Sequence, residues 1–213
     1  MPWFGNLAEN QSNGRGQQGS IWQSESKSNL LCSIVLCSEA ISNLNPIYIN
    51  WFVSVCIVDF LKSKKIDALI KWPNDILIGK QKIAGILIEN KFLGAKLKQS
   101  IAGVGINVNQ QSFDRLLATS MTLQTGMNYS IVDIFDEFIF YLKQNEKLLF
   151  IDQDVQLKEK YLKDLFGLGE KLVFTDKTGD FSGVIVGVDQ SGQLLVESKG
   201  KIVSFQNKEV RFL

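Results

Sequence analysis

A chain of 213 residues with 45% hydrophobic and 21% charged side chains has the composition of a folded globular protein, with length for one medium domain and a small one. A net charge of +1 gives no broad electrostatic footprint for nucleic acid or an anionic membrane. The chain has no histidine, which excludes Ser-His-Asp and Cys-His catalysis and any imidazole zinc site. Chemistry must rest on Lys, Arg, Asp, Glu, Asn, Gln and backbone amides, a set suited to phosphates and carboxylates.

Residues 1–28 are polar and Gly-rich, and 29–37 read as a strand. A helix is predicted over 46–63, with Pro46 in its first turn. Its apolar run, 47–61, is interrupted by Asn50, Ser54 and Asp59 and reads as too short and too polar for a membrane span. No basic region followed by an apolar stretch opens the chain, so no signal peptide is expected. Strands follow at 66–70 and at 76–78 and 83–88, the last two joined through Gly79-Lys80-Gln81 as a hairpin. Residues 97–108 form a strand expected to be interrupted at Gly103 and Gly105, and 110–128 a polar connection.

Ser130 and Asp133 mark a helix start, and Ile131, Ile134, Phe135, Phe138, Ile139 and Leu142 follow helical spacing. A further helix is predicted over 154–165. After Gly167 the texture changes to five short strands, 172–174, 183–188, 194–196, 202–205 and 210–213, separated by turn signals. Their close spacing predicts a small barrel. The fold class is α+β: a mixed β-sheet with helices packed on it over 1–165, then the barrel over 166–213. Cys32, Cys37 and Cys56 have no metal-ligand spacing, and an odd count without a secretion signal predicts reduced thiols in a cytoplasmic protein.

Three segments carry candidate chemistry. In Lys71-Trp72-Pro73-Asn74-Asp75 and Lys82-Ile83-Ala84-Gly85-Ile86 the hairpin sets a carboxylate and a lysine near each other. An anionic substrate needs such a lysine, and a metal-bound nucleotide such a carboxylate. The bland alternative is a surface hairpin with solvated charges. The loop from Gln11 to Trp22 contains Gly14-Arg15-Gly16-Gln17. Its glycines let backbone amides approach a ligand, and Arg15 can fork onto a phosphate or carboxylate. It lacks the Gly-Lys-Ser/Thr of a P-loop, and a flexible surface loop looks the same. In Gly103-Val104-Gly105-Ile106-Asn107, Asn107 offers a neutral oxygen to a metal-bound nucleotide, or is a turn-forming strand end.

In this order and spacing the three segments resemble the catalytic domain of biotin protein ligases, specifically the short class without a DNA-binding domain. The resemblance runs from about Leu7 to Leu213, and the tail looks like that family's SH3-like barrel. It implies a two-step reaction: biotin and ATP with Mg²⁺ give biotinyl-5′-AMP, and a lysine of the biotin carboxyl carrier protein of acetyl-CoA carboxylase takes the biotinyl group. It implies catalytic roles for Lys82, Arg15 and Asp75, and biotin contacts from Gln11, Arg15, Gly16, Gln17, Lys82 and Gly85. It also implies ATP contacts from Arg15, Trp22, Asn74, Asp75, Lys82 and Asn107. Mg²⁺ would arrive with ATP, touching Asp75 and Asn107 and needing no dedicated side-chain cage. Neither nucleic acid nor membrane is expected as a partner, and the oligomer is a monomer or a homodimer. Gln17 stands where well-known members carry an arginine that helps retain the adenylate.

Only ten residues precede Gln11, and Met1-Pro2-Trp3-Phe4 does not resemble the Ser/Thr-rich segment that binds biotin's ureido ring in the family. The start therefore reads as truncated, with a strand and a helix expected to be absent. Other readings are a remnant that binds biotin or a partner without turnover, a lipoate-protein ligase, whose Arg-Arg-x-Ser-Gly-Gly-Gly loop is missing, and a nucleic-acid-binding barrel.

Overall fold

The computed structural model describes residues 3–11, 13–37, 39–114, 116–150 and 155–213. The predicted helix at 46–63 is α1, Pro46–Ser63. Pro46 opens it, where a missing N–H costs nothing. The Asn45 side chain caps it by accepting from the Ile47 N–H at 3.2 Å. Thirteen of its residues are buried, all round the helix, so it forms the core's centre and not a surface element. By length and composition α1 is a helix that could cross a membrane, which corrects the expectation that the run is too short. Its burial is that of a core helix.

Against α1 lies a six-stranded sheet in the order β1-β2-β6-β5-β4-β3. The strands are β1 (Trp3–Ala8), β2 (Asn29–Leu36), β3 (Leu69–Lys71), β4 (Asp75–Ile78), β5 (Gln81–Leu93) and β6 (Lys96–Asn107). Every pairing between these strands is antiparallel, so the expected mixed sheet is corrected: among the described residues parallel geometry occurs only at isolated bridges such as Ile70 with Leu165. β1 was not foreseen, because Trp-Phe-Gly-Asn-Leu-Ala lacks clean alternation; pairing with β2 makes it a strand. Nor do Gly103 and Gly105 interrupt β6, since each stays in register with both neighbours.

The polar connection contains a short helix, α2 (Met121–Thr125), that periodicity did not reveal. α3 (Ile131–Asn145) is capped as predicted, the Asp133 N–H donating to Ser130 Oγ at 3.3 Å. Its Ile134, Phe138 and Leu142 form a buried stripe at four-residue spacing. α4 is Gln156–Lys163; Asp154, the expected start, lies outside the described residues.

The tail forms the five predicted strands: β7 (Lys171–Asp176), β8 (Gly179–Val188), β9 (Leu194–Ser198), β10 (Lys201–Phe205) and β11 (Arg211–Phe212). Their order is β10-β9-β8-β7-β11. Closing a barrel requires the two end strands to pair. Here β10 pairs with β9, and the two-residue β11 pairs with β7, so the expected barrel is an open sheet. The segment leading into this sheet is bonded to β3, the Ile70 N–H donating to the Asp164 carbonyl and the Phe166 N–H to the Ile70 carbonyl, and the Trp72 indole donates to the Gly192 carbonyl on the β8–β9 turn.

Candidate functional site

A single extra residue in β5 decides where Lys82 points. Side chains alternate along a strand, so residues three apart lie on opposite faces. Asp75 pairs with Gly85 and Ile76 with Ala84, but Leu77 pairs with Lys82, leaving Ile83 as the bulged residue. The bulge changes the parity, and Lys82 joins Gly85 and Asp75 on one face. A Cβ on Gly85 would lie 3.1 Å from Lys82 Nζ, which places them together. Lys82 Nζ sits 2.5 Å from Asp75 Oδ1, with the two side chains 35% and 29% exposed.

The bulge is held from outside the hairpin. The Lys82 N–H donates to the Leu117 carbonyl, and the Lys82 carbonyl accepts from the Thr119 N–H, both at 2.9 Å. Asn107 Nδ2 donates to the same carbonyl and to that of Thr119. Asn107 is 3% exposed and does not line the cavity described below. Its amide is set back from the cavity wall. It ties the Lys82 bulge to residue 119 through its Nδ2. Asn74 is also tied, its Nδ2 donating to the Ile86 carbonyl at 2.7 Å, but it remains on the cavity wall.

The Gly-rich loop folds on itself. The Gly16 N–H donates to the Ser20 carbonyl at 2.7 Å, and the Trp22 N–H to the Gly14 carbonyl at 3.0 Å. A Cβ on Gly14 would lie 2.4 Å from the Trp22 carbonyl oxygen, and one on Gly16 2.5 Å from Ser20 Oγ. Both glycines thus permit the loop's own closure. Arg15, its side chain 72% exposed, reaches Glu89 at 3.5 Å. The Trp22 indole lies on the sheet face where Gly85 and Gly105 are paired: Cβ atoms there would come within 3.1 and 2.6 Å of it. Lys82 Nζ stands 5.5 Å from the ring centroid, a cation–π distance. The bareness of Gly85, expected to serve a ligand, serves Trp22 as well.

These residues surround a cavity of about 610 Å³. Gln11, Arg15, Gly16, Gln17, Trp22, Asn74, Asp75, Lys82 and Gly85 all line it, so of the predicted site residues only Asn107 stands apart. Ser12, inside the loop, lies outside the described residues. Sequence reasoning missed the wall supplied by the second sheet: Asn207, Lys208, Val210, Arg211 and Phe212. Asn207 Nδ2 donates to Gln17 Oε1 at 2.8 Å, joining that sheet to the loop. Lys71 also lines the cavity, its Nζ 5.3 Å from the Phe212 ring. Nothing in the sequence linked positions 17 and 207. Cys32 lines the sheet side, and burial pushes its thiol up to about 12, so it is protonated at neutral pH. Among the described residues no three acidic, Cys or His side chains cluster as a metal cage.

Comparison with known proteins shows what the chain is similar to. Residues 5–107 match the model of the Biotin/lipoate A/B protein ligase family. The bifunctional ligase/repressor BirA of Bacillus spizizenii is 26% identical over 210 residues, covering 96% of this chain and 64% of its own length. The chain thus spans less than two thirds of that relative. The biotin–[acetyl-CoA-carboxylase] ligase of Paracoccus denitrificans is 26% identical over 200 residues, covering 89% of this chain and 82% of its own. The biotin protein ligase from Aquifex aeolicus, solved in complex with biotin and ATP, superposes with a TM-score of 0.79 at 24% identity, covering 98% and 88% of the two chains. That last likeness concerns the fold.

Proposed function

We propose, from the match of residues 5–107 to the model of the Biotin/lipoate A/B protein ligase family, that the chain is a member of that family and joins biotin to a lysine of a carrier protein at the expense of ATP. The observation that carries this reading is the re-aimed Lys82, paired with Asp75 and facing the cavity that Arg15 also lines. The names of the relatives from Bacillus and Paracoccus support it, and the latter's name favours the biotin carrier of acetyl-CoA carboxylase as the partner.

In the first step a biotin carboxylate oxygen attacks the α-phosphorus of ATP, the bond to the β-phosphate bridging oxygen breaks, and pyrophosphate leaves. Two anions must meet, and Lys82 offsets their repulsion in a partly desolvated site. Arg15 adds a fork for phosphate or carboxylate. Lys71, Lys208 and Arg211 extend positive charge along the wall. In the second step a neutral carrier amine attacks the acyl carbon, and the carbon–oxygen bond to phosphate breaks, releasing AMP. No enzyme nucleophile takes part, so the lack of histidine is no obstacle. The donor set fits a Mg²⁺ that keeps its waters and rides on the ATP phosphates, with Asp75, beside Lys82, and Glu89 as the acidic side chains that line the cavity among the described residues. Asn74, on the same wall, is a polar neighbour for the nucleotide.

We extend the proposal to the chain's organisation: a catalytic unit over 1–165, and a tail from 166 acting as the family's SH3-like unit in open form, in a cytoplasmic protein. The test mixes the purified chain with biotin, MgATP and an acetyl-CoA carboxylase carrier domain. Biotinylated carrier is the expected product, and its absence with an intact carrier overturns the reading.

A further inference from the structure

Lys82 and Arg15 are each met by a carboxylate on the cavity wall: Lys82 by Asp75, and Arg15 by Glu89. The two carboxylates stand at opposite ends of the cavity floor. Side chains alternate along a strand, so Gly85, Leu87 and Glu89 of β5 share one face. Their β6 partners Gly105, Gly103 and Ile101 share it too, and all six line the cavity. Asp75 pairs with Gly85, and Lys82 Nζ lies beside that glycine. Glu89 is four residues further on, about 13 Å along the strand. The floor between them, built from Leu87 and Gly103 with Leu31 and Ser33 of β2, is uncharged.

A guanidinium held by Glu89 is at the wrong end of this floor for an anion held by Lys82, and one arginine cannot serve both ends at once. The pair that holds it is weak. Its 3.5 Å separation exceeds that of a close charge-assisted hydrogen bond. Both side chains are largely solvated, and such pairs are worth at most about fivefold in an equilibrium constant. A contact of that strength holds a side chain without trapping it. We infer that Glu89 is a parking site for Arg15. Its carboxylate stands in for a ligand anion, keeps the guanidinium away from Lys82, and gives it up to an anionic group that arrives there. Glu89 acts through Arg15, so it is a positioning residue and not a catalytic one. Parking lowers the cavity's affinity for the anion by the factor the pair is worth, because the anion must first displace Glu89 from Arg15. The inference deepens the proposed function and rests on it for the identity of that anion, a phosphate group.

The test titrates the full chain with inorganic pyrophosphate in a calorimeter at about 0.15 M salt, where direct repulsion between Glu89 and an anion near Lys82 is largely screened. Glu89→Gln keeps the side chain's size and removes its charge, and it is expected to tighten binding by about two- to fivefold. Arg15→Ala is expected to weaken binding by about tenfold, as for loss of a hydrogen bond to a charged group. In the Arg15→Ala background, Glu89→Gln should then change nothing. A merely structural role for Glu89 would loosen binding or leave it unaltered, and either result overturns the inference. Equal tightening with and without Arg15 overturns it too, since Glu89 would then only repel anions. So does pyrophosphate that binds no variant, or binding that Arg15→Ala leaves unchanged. Carrier biotinylation measured in parallel separates the two ideas: turnover without the coupled effect removes the parking site and leaves the ligase reading, and the coupled effect without turnover does the reverse.

Discussion

The β4–β5 hairpin and the loop from Gln11 to Trp22 bring charge to the same cavity by opposite means. In the hairpin, the position of Lys82 is set by backbone: strand pairing on both sides, one bulge, and the segment 117–119 bonded along it. In the loop, Arg15 projects from a turn closed by a few hydrogen bonds, and its side chain is mostly solvated. The hairpin can hold a charge in place before a ligand arrives, which is what electrostatic catalysis requires. The loop holds its arginine loosely, which suits a group that closes over a bound ligand. The difference teaches where glycine matters. Gly79 at the hairpin turn has φ +56° with nothing near its Cβ position, whereas Gly14 is needed because another part of the loop touches it.

The comparison breaks most readily at Lys82. Lys82→Ala is expected to slow adenylate formation by about 10²–10³-fold, the usual cost of losing one preorganised charge partner, read by biotin-dependent pyrophosphate exchange. An unchanged exchange rate would remove Lys82 from the mechanism. The two glycines give a paired test of smaller effect. Gly14→Ala drives a Cβ into the Trp22 carbonyl, and the loop must open, so activity should fall by about tenfold or more while thermal stability changes little. Gly79→Ala should do the converse, costing about 1–2 kcal/mol for a left-handed residue with kcat/KM retained. If both variants lose activity equally, the contrast between the two regions is wrong.

Local signals made most of the secondary structure legible. Pro46 and Asn45, the Ser130 cap and the turn residues of the tail sit where the chain's own hydrogen-bonding demands them. The hairpin's ends were legible for the same reason. Its bulge was not, because bulging at Ile83 depends on bonds to Leu117 and Thr119, far away in sequence. Asn107 shows the same limit. A terminal asparagine on a strand suggests a ligand contact, but whether its amide faces the cavity or the Lys82 carbonyl is settled by what packs beside it. The open second sheet was missed because closure depends on the length of β11, and two paired residues at the chain's end do not announce themselves. Lys208 and Arg211 went unread since their place at the cavity depends on how one sheet docks against the other.

Two carboxamides sharpen the contrast further. Asn74→Ala removes the bond from its side chain to the Ile86 carbonyl and should cost about 1 kcal/mol of stability. The Asn74 carbonyl still accepts from the Ile86 N–H, so the hairpin stays in register and Lys82 stays in place. Gln17→Ala acts on the loop, where the side chain's bond to Asn207 tethers it to the second sheet. That bond is part-buried and neutral, so its loss should be worth less than about 1 kcal/mol to folding. Its effect should appear in ligand handling: a less tethered loop releases the activated intermediate sooner, and the fraction of adenylate that escapes before reaching the carrier rises a few-fold. Free adenylate in the supernatant, measured against carrier-bound biotin, reads this ratio directly. Asn207→Ala, cutting the same bond from the other side, should raise escape by the same amount, and the double variant should add nothing more. Additive effects would mean that the two side chains act separately, and that the second sheet does not hold the loop through this bond.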